Sequence, residues 1–266
     1  MAKRTRLGVA GWPVAHSRSP RMQNAALAEV GLTSWRYQLL PIPPDLFPDT
    51  VPALAAAGFR GINVTIPHKE AALGLAHSAT ERAQAIGAAN LLIFEDGGAI
   101  TADNTDAPAI ARALPEGLEG GSALVLGAGG SARAAVWALR EAGAEVRIWN
   151  RTPERAWEVT EQLGGLVVER LEPADLLVNC TPVGLNGQDE ELKQLPVGAD
   201  DIAMYGCVID LVYSPLDTAL IRAARRAGKP AVDGLELLVT QGALSFEQFT
   251  GVAAPLQRMA EAARAG

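Results

Sequence analysis

Short runs of consecutive apolar residues, bounded by glycine, proline or a polar cluster, alternate along the chain with alanine-rich stretches of helical length. Such runs are the mark of strands covered on both faces. They predict strands over 7–10, 35–40, 61–65 and 91–94 in the first third of the chain, and over 123–126, 145–149, 176–179 and 208–211 further on. Helices are predicted over 20–30, 46–57, 81–86, 131–142, 153–163 and 216–227. The stretch 235–264 is largely helical, but Gly242, Gly251 and Pro255 interrupt it, which predicts two helices rather than one. Ser19-Pro20 reads as a helix start, because a serine oxygen accepts an orphan amide and proline needs no acceptor in the first turn. The alternation is that of a parallel sheet flanked by helices, so the class is α/β.

A chain of 266 residues holds between one and two domains at ~150 residues each. No internal repeat and no low-complexity linker marks a boundary, so the division near Ala102 rests on motif content. With 48% hydrophobic and 20% charged residues the composition excludes a mostly disordered chain. A net charge of −7 argues against nucleic acid and anionic membranes as partners and leaves small molecules. No apolar run approaches the ~20 residues of a membrane span. Residues 1–6 lead straight into a strand with no signal-peptide hydrophobic region, so a cytoplasmic protein is expected. Cys180 and Cys207 are too few for a disulfide scaffold, and with His16, His68 and His77 as the only histidines no metal site is expected. Only four of the 23 basic residues are lysines: Lys3, Lys69, Lys193 and Lys229.

The second series of elements opens with a nucleotide signature. Gly127-Ala128-Gly129-Gly130-Ser131-Ala132 follows a buried strand and starts a helix, a G-x-G-x-x-A pattern in the right context. Its glycines permit a tight turn and let backbone amides approach a pyrophosphate at the positive end of the helix. The plainer reading is a strand-to-helix turn with no ligand. The next strand ends in Asn150-Arg151-Thr152, where an NAD-binding protein usually carries an acidic residue for the ribose hydroxyls. Arg151 and Arg155 can pair with a 2′-phosphate and Thr152 can donate to it, which favours NADP. Against this, Thr152 could simply cap the helix at Pro153. The loop Asn179-Cys180-Thr181-Pro182-Val183-Gly184 also follows an apolar strand and is placed to line the same site.

On the other side of the chain, three motifs stand together: Gly11-Trp12-Pro13-Val14-Ala15-His16-Ser17-Arg18-Ser19-Pro20, Asn63-Val64-Thr65-Ile66-Pro67-His68-Lys69 and Asp103-Asn104-Thr105-Asp106. With the glycine turn, Asn150-Arg151-Thr152, Tyr213, Asp233-Gly234-Leu235 and Gln241 in the same order, the chain resembles the shikimate dehydrogenases over nearly its whole length. The resemblance implies an N-terminal α/β substrate domain, 1–102 completed by 238–266, and a Rossmann-type doubly wound NADP-binding domain over 103–237. It implies reversible NADPH-dependent reduction of 3-dehydroshikimate to shikimate in aromatic amino-acid biosynthesis, by a monomer or homodimer.

Hydride delivery to a ring carbonyl builds alkoxide character on oxygen, so a proton donor is needed, and a base in reverse. Lys69 and Asp106 suit that work as one coupled pair, with no proton assigned to either. Taken singly, Lys69 reads as a solvated lysine and Asp106 as a first-turn helix acid. By resemblance, Ser17 and Ser19 hold the substrate carboxylate, Thr65, Asn90, Asp106 and Gln241 bind ring hydroxyls, and Asn63 and Tyr213 complete the site. The cofactor would meet Gly127, Ala128, Gly129, Gly130, Ser131, Asn150, Arg151, Thr152 and Arg155, with Leu211 and Gly234 near the nicotinamide. His16 and His68 are read as supporting hydrogen-bond partners. Two alternatives remain open: a broader quinate/shikimate dehydrogenase, and a catalytically silent NADP-binding sensor.

Overall fold

The computed structural model describes residues 4–185, 188–214 and 217–265. The chain falls into two compact units, Met1–Thr105 with Leu238–Gly266, and Asp106–Leu237. The first contains β1 (Thr5–Gly11), α1 (Ser19–Glu29), β2 (Trp35–Pro41), α2 (Phe47–Ala56), β3 (Phe59–Val64), α3 (Lys69–Gly74), β4 (Ser78–Ala79), α4 (Glu81–Ile86), β5 (Leu91–Phe94) and β6 (Ile100–Asp103). Its strands lie in the order β2-β1-β3-β5-β6-β4. The pairs β1-β2, β1-β3 and β4-β6 are parallel, whereas β3-β5 and β5-β6 are antiparallel. The sheet is therefore mixed, contrary to the parallel pattern expected. Residues 95–99 are all that separates β5 from β6, too short for the crossover of a dozen or more residues that a parallel pair requires.

Phe47 and Val51 of α2 pack with Ile62 and Val64 of β3 and with Leu92 and Phe94 of β5 in one buried cluster. Each such side chain contributes about 1.5–3 kcal/mol. Two of them from α2 together offset the ~3 kcal/mol that an interior proline, here Pro52, costs a helix. Packing rather than propensity thus keeps α2 helical. Ser19 begins α1 but does not cap it: Arg18 occupies the cap position without a side-chain bond, and the Ser19 N–H donates to Ser17 Oγ at 3.3 Å. The hydroxyl two residues upstream closes a local turn and takes the amide first. At the open edge of the sheet, Asn24 of α1 donates from Nδ2 to the Tyr37 carbonyl (2.8 Å) and accepts the Tyr37 N–H at Oδ1 (3.0 Å).

The second unit runs through α5 (Asp106–Ala113), β7 (Ser122–Leu126), α6 (Gly130–Glu141), β8 (Glu145–Trp149), α7 (Pro153–Leu163), β9 (Leu166–Val167), β10 (Ala174–Asn179), β11 (Tyr205–Asp210), α8 (Ala219–Arg226) and β12 (Ala231–Val232). The sheet is wholly parallel in the order β12-β11-β10-β7-β8-β9, the doubly wound arrangement that reverses direction between β7 and β10. The helix expected over 216–227 is described from Ala219; Leu216 lies outside the described residues, as does Lys3. Then α9 (Gly234–Thr250) carries the chain back to the first unit, ending in α10 (Leu256–Arg264). Among the described residues no helix is long and apolar enough to cross a membrane.

Asp103, at the end of β6, ties four segments of the first unit together. Its carboxylate accepts from Thr80 Oγ1 (2.6 Å), from Arg82 at both oxygens (2.7 Å each), from Gln248 Nε2 on α9 (2.7 Å) and from the Asn104 N–H (2.7 Å). Burial pushes the carboxyl up, but the Thr80, Gln248 and Asn104 hydrogen bonds and the Arg82 charge outweigh it and hold the group below the usual carboxylate range. A depressed carboxylate contributes stability above its unfolded value, ~3.9, that is lost as pH falls through the folded value. Asp103→Asn should therefore cost about 1–3 kcal/mol near neutrality. In thermal melts its deficit should be full at pH 6 and shrink steadily below pH ~4; a deficit independent of pH would contradict the assignment.

Candidate active site

The strands of the first unit deliver a buried polar cluster. Asn63 lies near the end of β3 and Asn90 immediately before β5, and both are buried. Asn63 accepts at Oδ1 from the Tyr37 hydroxyl (2.8 Å) and donates from Nδ2 to the Asn90 carbonyl (3.1 Å) and to Ser245 Oγ (2.8 Å). Both amide protons are used inside the protein, so the group holds the site in place rather than offering a donor to a ligand. Asn90 accepts the Thr105 N–H at Oδ1 (2.7 Å), donates to Thr105 Oγ1 (3.0 Å) and reaches Gln241 Oε1 at 3.5 Å. Gln241 in turn donates from Nε2 to the Leu238 carbonyl at 2.9 Å. Of the expected substrate residues the structure thus gathers Asn63, Asn90 and Gln241. It adds Tyr37, Thr105 and Ser245, to which the sequence assigned no role. Ser245 was within reach of sequence reasoning, since four residues after Gln241 on a helix is the same face.

Lys69 is the first residue of α3 and is only 8% exposed, which removes the reading of it as a solvated lysine. Its carbonyl accepts the Ala89 N–H at 2.8 Å, which fixes the start of α3 beside the segment leading into Asn90. The preceding His68 stacks on Phe47 with ring centroids 4.1 Å apart and donates from Nε2 to the Ile42 carbonyl (2.7 Å). Its role is structural support. Thr65, half-buried, sits one residue past β3, and its N–H donates to the Ala10 carbonyl at 2.8 Å, joining the ends of β1 and β3. Ser17 is half-buried and Ser19 buried in the turn into α1. Asp106 opens α5 as its first-turn acid, directly after Thr105.

In the second unit the glycine turn stands between β7 and α6, at the carboxyl end of the sheet where its order reverses. Gly127 has φ +109°, a conformation that side chains resist, and a Cβ there would lie 3.2 Å from the Cys180 backbone. A Cβ on Gly129, by contrast, would meet nothing within 4 Å. Internal packing does not explain that glycine, whereas close approach of a ligand to the backbone does. Gly129 is also the N-cap of α6 and supplies no side-chain bond to it. With Ala128, Gly130 and Ser131 the turn has the shape and polarity for a pyrophosphate. Past β8, Asn150 Nδ2 donates to the Thr152 carbonyl at 2.7 Å, and Arg151 and Thr152 are exposed. Thr152 occupies the cap position of α7, but its side chain makes no capping bond. Arg155 makes an exposed ion pair with Glu158 at 3.7 Å, a weak tether.

Leu211 and Tyr213 follow β11, both half-buried. Gly234 has a packing reason for being glycine: a Cβ would lie 2.4 Å from the Val212 carbonyl oxygen. Between these segments Asp210 is fully buried at the end of β11. It accepts from Asn179 Nδ2 (2.9 Å), the Val212 N–H (3.0 Å) and Thr218 Oγ1 (2.6 Å), and so pins the ends of β10 and β11 to the start of α8. Burial raises its pKa to about 6, with three hydrogen bonds offsetting part of the effect and the Asp233 charge adding to it.

A doubly wound parallel sheet with a glycine turn at its reversal point, in a chain that also holds a mixed-sheet unit with a buried lysine and amide cluster, defines a two-unit α/β protein of the dinucleotide-binding class. Residues 9–92 match the shikimate dehydrogenase substrate binding domain, 109–181 the shikimate/quinate 5-dehydrogenase family and 234–264 the shikimate 5′-dehydrogenase C-terminal domain. The chain is 45% identical over 263 residues to shikimate dehydrogenase (NADP(+)) of Methylobacterium radiotolerans, covering 91% of this chain and 90% of that protein. The crystal structure of shikimate 5-dehydrogenase from Thermus thermophilus in complex with NADP(H) and shikimate is similar at 42% identity and a TM-score of 0.85, covering 98% of both chains. Shikimate dehydrogenase from Aquifex aeolicus matches at 33% identity and a TM-score of 0.90 over 99% of both. The chain belongs to the shikimate dehydrogenase family.

The buried Asp210 has a measurable consequence. A carboxyl raised from ~3.9 to about 6 binds its proton more tightly in the folded than in the unfolded chain, so stability falls as pH rises between those values. In Asp210→Asn the amide oxygen still accepts from Asn179 and Val212, and the new N–H donates to Thr218, whose hydroxyl turns round. Relative to the wild type, the variant should gain about 2–3 kcal/mol between pH 4 and pH 7.5 in chemical unfolding. An equal difference at the two pH values would contradict the buried charge.

Proposed function

We propose that the protein catalyses the reversible NADPH-dependent reduction of 3-dehydroshikimate to shikimate, a step in aromatic amino-acid biosynthesis. The observation that carries this reading is likeness along 98% of the chain to an enzyme crystallised with NADP(H) and shikimate. The side chains supply a matching chemistry. Ser17, Ser19, Thr65, Asn90, Asp106, Tyr213 and Gln241 bring hydroxyls, amides and one carboxylate suited to a small anionic polyol, and Asn63 holds Asn90 in place. The turn Gly127-Ala128-Gly129-Gly130-Ser131 would hold the pyrophosphate, Asn150, Arg151, Thr152 and Arg155 the 2′-phosphate side, and Leu211 and Gly234 the nicotinamide end. The bound cofactor supplies the hydride.

Lys69 and Asp106 handle the proton. In reduction, the ring oxygen gains negative character as the carbonyl bond opens, and the Lys69 ammonium donates its proton there. The pair is reprotonated from solvent. In oxidation the same pair takes the hydroxyl proton as the hydride leaves carbon. Burial of Lys69 raises the strength of this interaction over its value in water. We take the protein to act in the cytoplasm as a monomer or homodimer with small-molecule partners only. Buried free thiols such as Cys180 and Cys207 persist in that compartment.

NADPH absorbance should fall when 3-dehydroshikimate is added to the wild type; well-folded protein that binds NADPH without turnover would instead be a sensor. Lys69→Ala should lower kcat by ~10² or more while NADPH affinity stays near wild type, and an undiminished kcat would remove Lys69 from the mechanism. Faster turnover with quinate than with shikimate would identify the broader enzyme.

Cofactor choice gives a separate measurement. The wild type should prefer NADPH over NADH in kcat/KM, and Arg151→Ala should cut that preference by ~10–100-fold, the worth of a charged hydrogen bond. Equal kcat/KM for the two cofactors in the wild type would defeat the 2′-phosphate assignment.

A further inference from the structure

We propose that Ser245 and Thr105 are positioning residues that fix the amide pair Asn90 and Gln241 in the orientation that accepts a substrate hydroxyl and refuses a group unable both to accept and to donate. The inference rests on the shikimate reading of this site and adds to it two side chains that need not touch the substrate.

The protons can be followed one at a time. Ser245 Oγ, fully buried, donates its single proton to the Gln241 carbonyl at 3.0 Å. Its lone pairs are then left to accept Asn63 Nδ2 at 2.8 Å and the Thr105 hydroxyl at 3.1 Å. Thr105, also fully buried, can in turn accept from Asn90 Nδ2 at 3.0 Å. A directed chain results, from the Asn90 amide through Thr105 and Ser245 to the backbone of α9. The Thr105 N–H at 2.7 Å from Asn90 Oδ1 sets the oxygen end of that amide. The bond from Gln241 Nε2 to the Leu238 carbonyl likewise turns Oε1 of Gln241 toward Asn90.

An amide N–H and an amide oxygen therefore stand side by side, 3.5 Å apart. That is beyond the usual N–H···O range of 2.7–3.2 Å, so the direct bond between them is weak. A hydroxyl satisfies both at once, accepting from Asn90 and donating to Gln241. A ketone offers no proton, and a methylene leaves both unpaired, which is the strongest form of discrimination a polar site has. If either amide rotated by half a turn, the pattern would be lost. Ser245 prevents this, since without Oγ the Thr105 hydroxyl and one Asn63 proton lose their acceptor in a region with no solvent.

The test compares shikimate with its deoxy analogues, each lacking one ring hydroxyl, in wild type, Thr105→Ser, Thr105→Val and Ser245→Ala, with thermal melts alongside. For one analogue the wild type should lose ~100-fold or more in kcat/KM, as expected of a site built to bond a hydroxyl. Thr105→Ser keeps the hydroxyl and should keep that ratio. Thr105→Val and Ser245→Ala should compress it to less than ~10-fold and raise KM for shikimate, with KM for NADP+ following the wild type. Where Thr105→Val does not fold, Ser245→Ala carries the same comparison. A ratio that survives both substitutions, or that Thr105→Ser abolishes as fully as Thr105→Val, overturns the proposal alone. A wild type that does not oxidise shikimate overturns the reading beneath it.

Discussion

Amides buried without water must find every partner inside the protein, and that requirement organises the first unit. Asn63 and Asn90 sit at strand ends where the backbone ladder no longer consumes every group, so hydroxyls from three other segments come to meet them: Tyr37 from β2, Thr105 from the segment after β6, and Ser245 from α9. Each left unpaired would cost on the order of 1–3 kcal/mol, comparable to burying a whole leucine. Asp103 acts on the same segments through charge, gripping α9 by Gln248 and the loop before α4 by Thr80. The return of the chain through α9 is thus specified by polar matching as much as by apolar packing.

The second unit meets a different constraint. Its strands are buried along most of their length, and their carboxyl ends must stop in loops that keep one shape. Asp210 does this by collecting three donors on one carboxylate, at the expense of keeping a charge away from water. The glycine turn at the reversal point has little internal reason for its sequence at Gly129, where a side chain would have room. Rigid strand ends and a backbone kept bare are complementary features, since an approaching phosphate needs amides that are both fixed and uncovered.

Legibility followed how locally each feature is encoded. The β7-α6-β8 segment was readable because a buried apolar run, a glycine turn and an amphipathic helix each carry their own signal. The two-residue strands β4, β9 and β12 were not, because only their partners make them strands. The hairpin of β5 and β6 was missed for a related reason: ITAD is too short and too polar to announce itself, and with it went the antiparallel half of the first sheet. In the site, Lys69 and Asn90 stood out by motif, whereas their burial and bonding could not be read. Ser245 looks like an ordinary polar residue of an apolar helix until the fold brings Thr105 to 3.1 Å from it. Ser19 went the other way, since two serines two residues apart compete for one amide and the sequence does not say which wins.

The bond pair between Asn24 and Tyr37 bears on how this molecule lives among copies of itself. An edge strand of seven residues offers its outer amides and carbonyls to any extended chain that drifts alongside, and mixed or parallel sheets exposed in this way are templates for aggregation. One carboxamide, with a donor and an acceptor at the spacing of a peptide group, imitates a neighbouring strand at Tyr37 and leaves nothing there to recruit. Because Asn24 is carried by α1, the plug is set only when the helix docks. A chain whose helix has come loose presents a sticky edge, and the folded one does not.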